Sequence, residues 1–205
     1  MKGQLRLSGG RILQSPKGMS TRPTSSRVRE AVMNIIGEKI QGCNWLDLCS
    51  GSGIMSCEAL ERGAKKVLAV EKNRKAAQVC KSNLMAIASD QQISTCIEVL
   101  SHEVLSLLGR GFPQFNGNNS EENCFDLVYF DPPYESTMHI GVLEKLLEGN
   151  WLKEDSLVIC EHSSSMHLNA PKPWIEQDRR IYGSSAISLV TPQQSRFADI
   201  DSKQQ

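Results

Sequence analysis

The sequence predicts a single α/β domain with a mostly parallel sheet covered by helices on both faces. From Cys43 onward, short apolar segments alternate with amphipathic ones, which is typical of consecutive βαβ units. The chain has 205 residues, of which 40% are hydrophobic, and this suffices for one such domain. No apolar run approaches the roughly 18–20 residues that a membrane span needs. We therefore expect a cytoplasmic protein without a membrane segment.

Seven strands and five helices follow from the apolar periodicity. The predicted strands are residues 45–49, 67–70, 95–100, 125–130 and 157–160, with a closing pair at 181–182 and 186–190. The predicted helices are residues 54–62, 73–88, 103–108 and 138–148, preceded by one that begins at Pro23-Thr24 and ends near Gly37. Residues 109–124 are rich in Gly, Asn and charge, and are predicted to be a surface insertion.

The N-terminal segment differs from the rest in charge. Residues 1–40 carry eight basic and two acidic side chains, whereas the other 165 residues carry 15 basic and 21 acidic ones. Such a basic end indicates either a polyanionic partner or a solvated arm. Within it, Leu5–Leu7 and Arg11–Leu13 flank Ser8-Gly9-Gly10, which predicts a short hairpin. We expect a basic hairpin and arm at 1–23, one domain at 24–192 and a flexible tail at 193–205.

The cysteines and histidines do not suggest a metal site. Seven cysteines occur without a CxxC pair, which favours reduced thiols over a zinc site or a disulfide framework. Cys160 and His162 are close in sequence, but no second ligand pair with suitable spacing accompanies them. His139, His162 and His167 are accordingly predicted to be structural or surface residues.

The segment from Asp47 to Gly53, with the sequence DLCSGSG, predicts a nucleoside pocket. It lies where the first strand turns into its helix, and its glycines allow backbone N–H groups to approach a ligand closely. Glu71 ends the second strand, where a carboxylate can accept hydrogen bonds from both ribose hydroxyls. Ser56 stands where a dinucleotide site needs a third glycine, which argues against an NAD-dependent oxidoreductase.

A second motif, Asp131-Pro132-Pro133-Tyr134, directly follows the fourth predicted strand and so belongs to the same sheet edge. The Asp131 carboxylate and the Pro132 carbonyl can each accept one N–H of an exocyclic amino group. Tyr134 can stack on the base, a contact worth about 1–3 kcal/mol. The motif therefore predicts that an amino group is held with its lone pair directed at a methyl donor. Orientation of this kind can supply roughly 7–11 kcal/mol.

Together these motifs resemble amino-methyltransferases that carry a D/N-P-P-Y/F motif on the Rossmann-like, S-adenosylmethionine-dependent methyltransferase fold. Arg22-Pro23-Thr24 through Arg27-Val28-Arg29-Glu30, DLCSGSG, Glu71, DPPY and Tyr182-Gly183 are together similar to the bacterial 16S ribosomal RNA guanine-N2 methyltransferase family (RsmD type). The resemblance extends from about Gly9 to Val190. It implies S-adenosylmethionine as cofactor. The implied substrate is a guanine N2 amino group of 16S ribosomal RNA, in a partly assembled small subunit.

The resemblance also implies roles for individual residues. Asp131, Pro132, Pro133 and Tyr134 would hold the guanine. The cofactor would be held by Asp47, Ser50, Gly51, Ser52, Gly53, Glu71, Lys72 and Asn73. His102 stands where the family has an acidic residue that reads the adenine amino group, with Glu103 beside it. Thr24 and Arg27 would reach the methionine end of the cofactor, although Thr24 is equally suited to cap a helix. Candidate phosphate contacts are Arg6, Arg11, Lys17 and Arg22.

Two other functions remain open from the sequence. One is methylation of a DNA adenine or a protein glutamine, which would use the same pocket and the same motif. The other is a non-catalytic RNA-binding or ribosome assembly factor that retains the cofactor pocket. An intact DPPY motif argues against the second, and the absence of room for a target-recognition domain argues against the DNA version of the first.

Overall fold

The computed structural model describes residues 5–16, 25–91, 96–111, 124–133 and 137–193. Its seven strands are β1 (Asn44–Leu48), β2 (Lys66–Val70), β3 (Cys96–Leu100), β4 (Phe125–Phe130), β5 (Leu152–Ser163), β6 (Trp174–Tyr182) and β7 (Ser185–Pro192). Its five α-helices are α1 (Ser26–Ile36), α2 (Ile54–Glu61), α3 (Arg74–Gln91), α4 (Val104–Leu108) and α5 (His139–Glu148). A 3₁₀ turn over Gly37–Ile40 connects α1 to β1.

The strands form one sheet in the order β3-β2-β1-β4-β5-β7-β6. Strands β1 to β5 pair in parallel with one another, and β7 pairs antiparallel with both β5 and β6. The predicted fold class, a mostly parallel seven-stranded sheet, is confirmed. The strand order reverses between β1 and β4, because the chain moves outward from β1 to β3 and then returns to the other side of β1.

Helices cover both faces of this sheet, as the apolar strands predicted. One core contains the buried sides of α1, α2 and α3, with residues such as Val32, Leu60 and Leu84. The other contains α4 and α5, with residues such as Leu108 and Val142. Strand residues alternate between the two cores, so that β1 contributes Trp45 to the first and its neighbours Leu46 and Leu48 to the second. A parallel sheet needs this two-sided cover, since its strands are apolar on both faces.

Helix α1 begins at Ser26, two residues after Thr24 of the Pro23-Thr24 start that the sequence predicts. Ser25 is its N-cap, and the Ser25 hydroxyl accepts a hydrogen bond from the Val28 amide at 3.2 Å. The capping alternative for Thr24 is therefore wrong, while its cofactor role falls on a residue outside the described ranges. Gly37 ends the helix with a φ of 56°, a left-handed value that favours glycine.

The predicted N-terminal hairpin is present and is anchored on the domain. Arg6 and Ile12 form an antiparallel bridge. Glu58 of α2, which is fully buried, accepts hydrogen bonds from the Ser8 amide at 2.8 Å and the Ser8 hydroxyl at 2.9 Å. The same carboxylate pairs with Arg62 and lies 3.6 Å from Nε of Arg29. A buried carboxylate needs such compensation, and here the hairpin supplies part of it.

Two strands are longer than the sequence predicted. β5 begins at Leu152 rather than Leu157, and β6 begins at Trp174 rather than Ile181. In both, most of the added residues are charged or polar, so an apolar pattern does not mark them. All seven cysteines are free. Over the ranges given above, no helix is long and apolar enough to cross a bilayer.

Candidate active site

The candidate site lies where the strand order reverses, at the carboxyl ends of β1 and β4. These two strands are adjacent and parallel, with Leu48 aligned with Phe130. The turn that follows β1 and the DPPY motif that follows β4 therefore begin side by side. Crevices of open α/β sheets form at such a point, because the two connections leave toward opposite faces.

The turn after β1 is held in an uncommon backbone conformation. Cys49, Gly51 and Gly53 all have positive φ values, of 66°, 55° and 77°. Gly53 is also closely packed, because a Cβ at this position would lie 2.4 Å from the Sγ atom of Cys80 on α3. At Gly51 a Cβ would meet no atom of the described residues within 4 Å, so the space beside Gly51 is open with respect to that part of the chain. The absence of a Cβ thus permits close packing at Gly53 and leaves open space at Gly51.

Glu71 is fixed by the backbone on either side of it. Its Oε2 atom accepts a hydrogen bond from the Gly51 amide at 2.9 Å, and its Oε1 atom accepts one from the Asn73 amide at 2.8 Å. The carboxylate therefore lies against the glycine turn, next to the open space beside Gly51. The remaining lone pairs of the two oxygens suit paired hydroxyl donors, which is the chemistry predicted for Glu71.

Asp47 stabilises the turn by bonding to the helix that follows it. Its Oδ2 atom accepts hydrogen bonds from the Ser56 hydroxyl at 2.5 Å and from the Ser56 amide at 3.2 Å. The side chain is 1% exposed, and burial raises the pKa of Asp47 to about 7 in spite of these two bonds. Asp47 thus fixes α2 relative to the turn, while Ser50 and Ser52 lie in the turn itself and Ser52 is half-buried. Any effect of Asp47 on a ligand passes through this turn.

Several other predicted cofactor residues cap helices. The Oδ1 atom of Asn73 accepts hydrogen bonds from the amides of Lys75 and Ala76 at the start of α3. Both carboxylate oxygens of Glu103 likewise accept amides of the first turn of α4, from Leu105 at 3.1 Å and Ser106 at 2.7 Å. These two hydrogen bonds occupy the Glu103 carboxylate, and its neighbour His102 is half-buried after β3. Lys72 is exposed beside Asn73.

The second motif continues directly from β4. The Asp131 amide donates to the Leu48 carbonyl at 3.4 Å, so the strand pairing reaches the motif. Asp131 is half-buried, Pro132 is buried and Pro133 is exposed, while Tyr134 lies outside the described residues. Next to the motif, the Tyr129 hydroxyl donates to Oε2 of the buried Glu161 at 2.6 Å. This pair joins the ends of β4 and β5 below the motif.

The two histidines near the motif are buried, in agreement with a structural role. His139 begins α5, and its ring lies edge-on to Phe130 with centroids 5.1 Å apart. Nε2 of His162 lies 2.8 Å from the Ser188 hydroxyl. Burial lowers the pKa of both histidines, so both imidazoles are neutral near neutral pH.

The basic side chains that were predicted to bind the cofactor or the RNA differ in how far they are paired within the chain. Arg27 is exposed in the first turn of α1. Arg6 is exposed, and its Nη1 atom donates to the Gly10 carbonyl at 2.7 Å. Arg11 is paired with Asp90 at 2.5 Å and with Glu61 at 3.3 Å, so its charge is largely compensated within the chain. The two further candidates, Lys17 and Arg22, lie outside the described residues.

Asn83 is a site-supporting residue that the sequence analysis missed. This buried side chain on α3 donates to the Ser52 carbonyl of the glycine turn at 2.9 Å. It also donates to the Gln14 carbonyl at 3.1 Å and accepts from the Gln14 amide at 2.9 Å. Asn83 thereby joins the end of the N-terminal hairpin to the turn. The only sequence signal is a polar residue on the apolar face of a helix, and that signal does not name its partners.

Known proteins resemble this chain over nearly its whole length. A family model described as Conserved hypothetical protein 95 matches residues 3–191. The chain belongs to this family. It is 31% identical over 181 residues to the putative rRNA methyltransferase YlbH of Bacillus subtilis (strain 168), with 88% of this chain and 92% of that protein covered. It is also 31% identical to the ribosomal RNA small subunit methyltransferase D of Haemophilus influenzae, with coverage of 84% and 86%.

Solved structures agree with this assignment. The putative methyltransferase yhhF from Escherichia coli superposes with a TM-score of 0.73 at 25% identity, covering 93% of this chain and 99% of that one. The resemblance stated from the sequence is thus confirmed, together with the Rossmann-like methyltransferase fold. The chain is a methyltransferase, and its cofactor is S-adenosylmethionine.

The geometry fits this cofactor. A nucleoside without a pyrophosphate needs an open approach at the turn and a fixed carboxylate beside it. Among the described residues the space beside Gly51 is open, and the Glu71 carboxylate is held next to it by backbone hydrogen bonds. It does not need the third glycine of a dinucleotide site, and Ser56 at that position is fully buried against Asp47. When bound, the cofactor supplies a methyl group on a positively charged sulfur. Binding and orienting the cofactor and the substrate depend on the side chains and backbone of this chain.

Proposed function

We propose that this methyltransferase transfers a methyl group to the exocyclic N2 amino group of a guanine in 16S ribosomal RNA. The observation that carries the proposal is the adjacency of the glycine turn after β1 and Asp131-Pro132-Pro133 after β4, two strands that pair at Leu48 and Phe130. Neighbouring strands are about 4.8 Å apart, so an amino group held at the motif is within reach of a methyl donor held at the turn. The names of the relatives, which refer to ribosomal RNA, support the substrate class.

The motif provides two acceptors for the two hydrogens of the amino group. The Asp131 carboxylate accepts one N–H, and the Pro132 carbonyl accepts the other, with proline fixing the backbone angle φ. The amino lone pair, which is otherwise delocalised into the base, is then directed at the methyl carbon. As the new N–C bond forms, the bond between the methyl carbon and the sulfur breaks, and the positive charge passes from the sulfur to the nitrogen. The nearby carboxylate stabilises this charge until a proton leaves to water. Tyr134 completes the motif as a stacking platform for the base.

The remaining predicted roles belong to the same proposal. Glu71 binds the ribose, Ser50 to Gly53 line the cofactor, and His102 is next to the adenine. Arg27, on the exposed first turn of α1, pairs with the carboxylate at the methionine end. The guanine has to be presented unstacked, in a loop or by flipping, because the motif cannot reach an amino group within a helix.

The test is methyl transfer from labelled S-adenosylmethionine to three substrates in parallel. These are small ribosomal subunits without modifications, naked 16S ribosomal RNA and duplex DNA, each followed by nucleoside analysis. N2-methylguanosine in either RNA sample is the expected product, and the ratio of subunit to naked RNA shows which form is preferred. Methylated adenine in DNA alone would refute the substrate assignment. Cofactor binding without any transfer would instead support a protein substrate or an assembly factor.

Two variants separate the roles of the two motifs. Asp131→Ala removes an acceptor that acts on the amino group, so kcat should fall at least 100-fold while cofactor affinity is retained. Glu71→Ala removes the ribose acceptor, so cofactor affinity should fall first. An Asp131→Ala enzyme with the wild-type rate would exclude the proposed role of the motif, and unchanged cofactor affinity in Glu71→Ala would exclude the ribose role.

A further inference from the structure

Helix α3 carries a strongly basic surface beside the candidate site. Residues 72–89 include four basic and no acidic side chains, although the 165 residues after residue 40 carry more acidic than basic ones. All four basic side chains are exposed. We call this surface the α3 basic face, and its members are Lys72, Arg74, Lys75 and Lys81. Arg74 and Lys81 are seven residues apart, so they lie on one stripe of the helix.

These charges have no structural use within the described part of the chain. None of the four takes part in an ion pair with another described residue, whereas Arg11, Arg29 and Lys153 each lie within ion-pair distance of a carboxylate. The attachment of α3 to the protein depends on its opposite face, through residues such as Cys80 and Leu84. Four uncompensated cations on one face leave a local positive potential that attracts a polyanion.

The position of the α3 basic face suits the RNA that enters the site. α3 begins three residues after Glu71, at the same sheet edge as the DPPY motif. β2, which leads into α3, is separated from β4 only by β1. Two strand spacings amount to about 10 Å, so the start of α3 lies about that far from the motif across the edge. A nucleotide whose base is at the motif has neighbouring phosphates within reach of such a surface.

We propose that the α3 basic face binds the phosphate backbone of the substrate RNA next to the methylated nucleotide. The inference rests on the proposed function, since it takes RNA as the substrate. It gives α3 the role that the sequence analysis gave to the hairpin, where Arg11 is already bonded to Asp90 and Glu61. Phosphate contacts of this kind set affinity and orientation and do not read sequence.

The test compares two triple variants with the same change in charge. Arg74→Gln, Lys75→Gln and Lys81→Gln are combined in one protein, and Lys72 is kept because it is a predicted cofactor residue. The control combines Lys39→Gln, Lys65→Gln and Lys172→Gln, three exposed lysines that precede β1, β2 and β6 at the opposite edge of the sheet. Binding to naked 16S ribosomal RNA and to small ribosomal subunits is measured as a function of salt. Cofactor affinity and circular dichroism verify that each variant is folded.

For single-stranded RNA, each phosphate contact contributes about 0.7 to the slope of log K against log salt. Loss of three contacts should therefore make the slope shallower by about two. At ~0.15 M salt it should weaken binding on the order of fiftyfold, because each contact is worth a factor of about four. Cofactor affinity should be unchanged, and kcat at saturating RNA should be retained. The control should bind RNA as the wild type does.

Three results would overturn the inference. They are an unchanged salt slope in the α3 variant, an equal loss in the control, and a loss seen only with assembled subunits, which would indicate contact with a ribosomal protein. Because binding is measured without methyl transfer, the two proposals fail separately. A wild-type protein that binds the RNA but transfers no methyl group contradicts the proposed function, and the difference in slope still decides the role of α3.

Discussion

Replacing Gly53 with alanine should destabilise the protein far more than the same replacement at Gly51. Both residues have positive φ values in the same turn, but only Gly53 is packed against a neighbour. A Cβ at position 53 would lie 2.4 Å from Sγ of Cys80 and 3.3 Å from its Cβ. Cys80 is fully buried and its side chain is short, so it cannot move aside without disturbing α3.

The magnitudes follow from these two contributions. A left-handed conformation costs a non-glycine residue about 1–2 kcal/mol, and an extra methyl group in a packed site costs about 1–3 kcal/mol. Gly53→Ala should therefore lower the free energy of unfolding by about 2–5 kcal/mol, against about 1–2 kcal/mol for Gly51→Ala. Gly51→Ala should instead weaken cofactor binding, because its Cβ would enter the open space beside the turn.

Chemical denaturation of four proteins measures the steric part separately. In a Cys80→Ala background the Sγ atom is absent and only the milder 3.3 Å contact with the Cβ at position 80 remains, so the Gly53→Ala step should cost little more than the conformational ~1–2 kcal/mol. The coupling energy between positions 53 and 80 should thus be about 1–3 kcal/mol. Equal losses for the two glycine variants, together with no coupling to Cys80, would refute the packing argument. Cofactor titration of Gly51→Ala completes the comparison.

Two further predictions concern residues that support the turn. Burial raises the pKa of Asp47 from 3.8 to about 7, so the folded state binds a proton more tightly than the unfolded state between these values. Wild-type stability should therefore fall relative to Asp47→Asn as pH rises from about 4 to 7, by up to about 4 kcal/mol, and remain level above pH 7. Parallel stability-versus-pH curves of the two proteins in denaturant melts would contradict this. Asn83→Ala should accelerate hydrogen exchange of the Gln14 amide, lower stability by about 1–3 kcal/mol and weaken cofactor binding through Ser52. An unchanged exchange rate of the Gln14 amide would show that Asn83 does not hold the hairpin.

The sequence predicted the order and type of the elements because its strands are apolar on both faces. β4 was predicted with its observed bounds, Phe125–Phe130, since every position but Asp126 is apolar. β5 was predicted too short because Lys153, Glu154 and Asp155 interrupt its apolar pattern. Their backbone nevertheless continues the strand at the amino edge, where their side chains are accessible to water. An apolar pattern reveals the buried residues of a strand, and it does not reveal the parts of a strand whose residues are accessible to water.

The candidate site was predicted as two motifs, and the structure adds how they are supported. Glycine spacing and an acidic residue at a strand end placed Glu71 beside the turn, and its hydrogen bond to Gly51 agrees with that placement. The sequence could not show that Asp47 faces Ser56, or that Glu103 caps α4, because a carboxylate near a strand end suits a ligand and a helix equally well. Contacts between distant segments, such as that of Asn83 with the hairpin, leave no local pattern at all.

The anchoring of the hairpin has a consequence for the order of folding during synthesis. Its partners follow far behind it in the chain, since Ser8 bonds to Glu58, 50 residues later, and Arg11 bonds to Asp90, 79 residues later. At about 5–20 residues per second, a ribosome needs roughly 4–16 s to make the second of these distances. Throughout that interval the core that the apolar side chains of the hairpin join is incomplete, because it includes residues of α3. The earliest part of the domain to be synthesised thus cannot complete its docking until α2 and α3 have been made, and until then it stays accessible to chaperones.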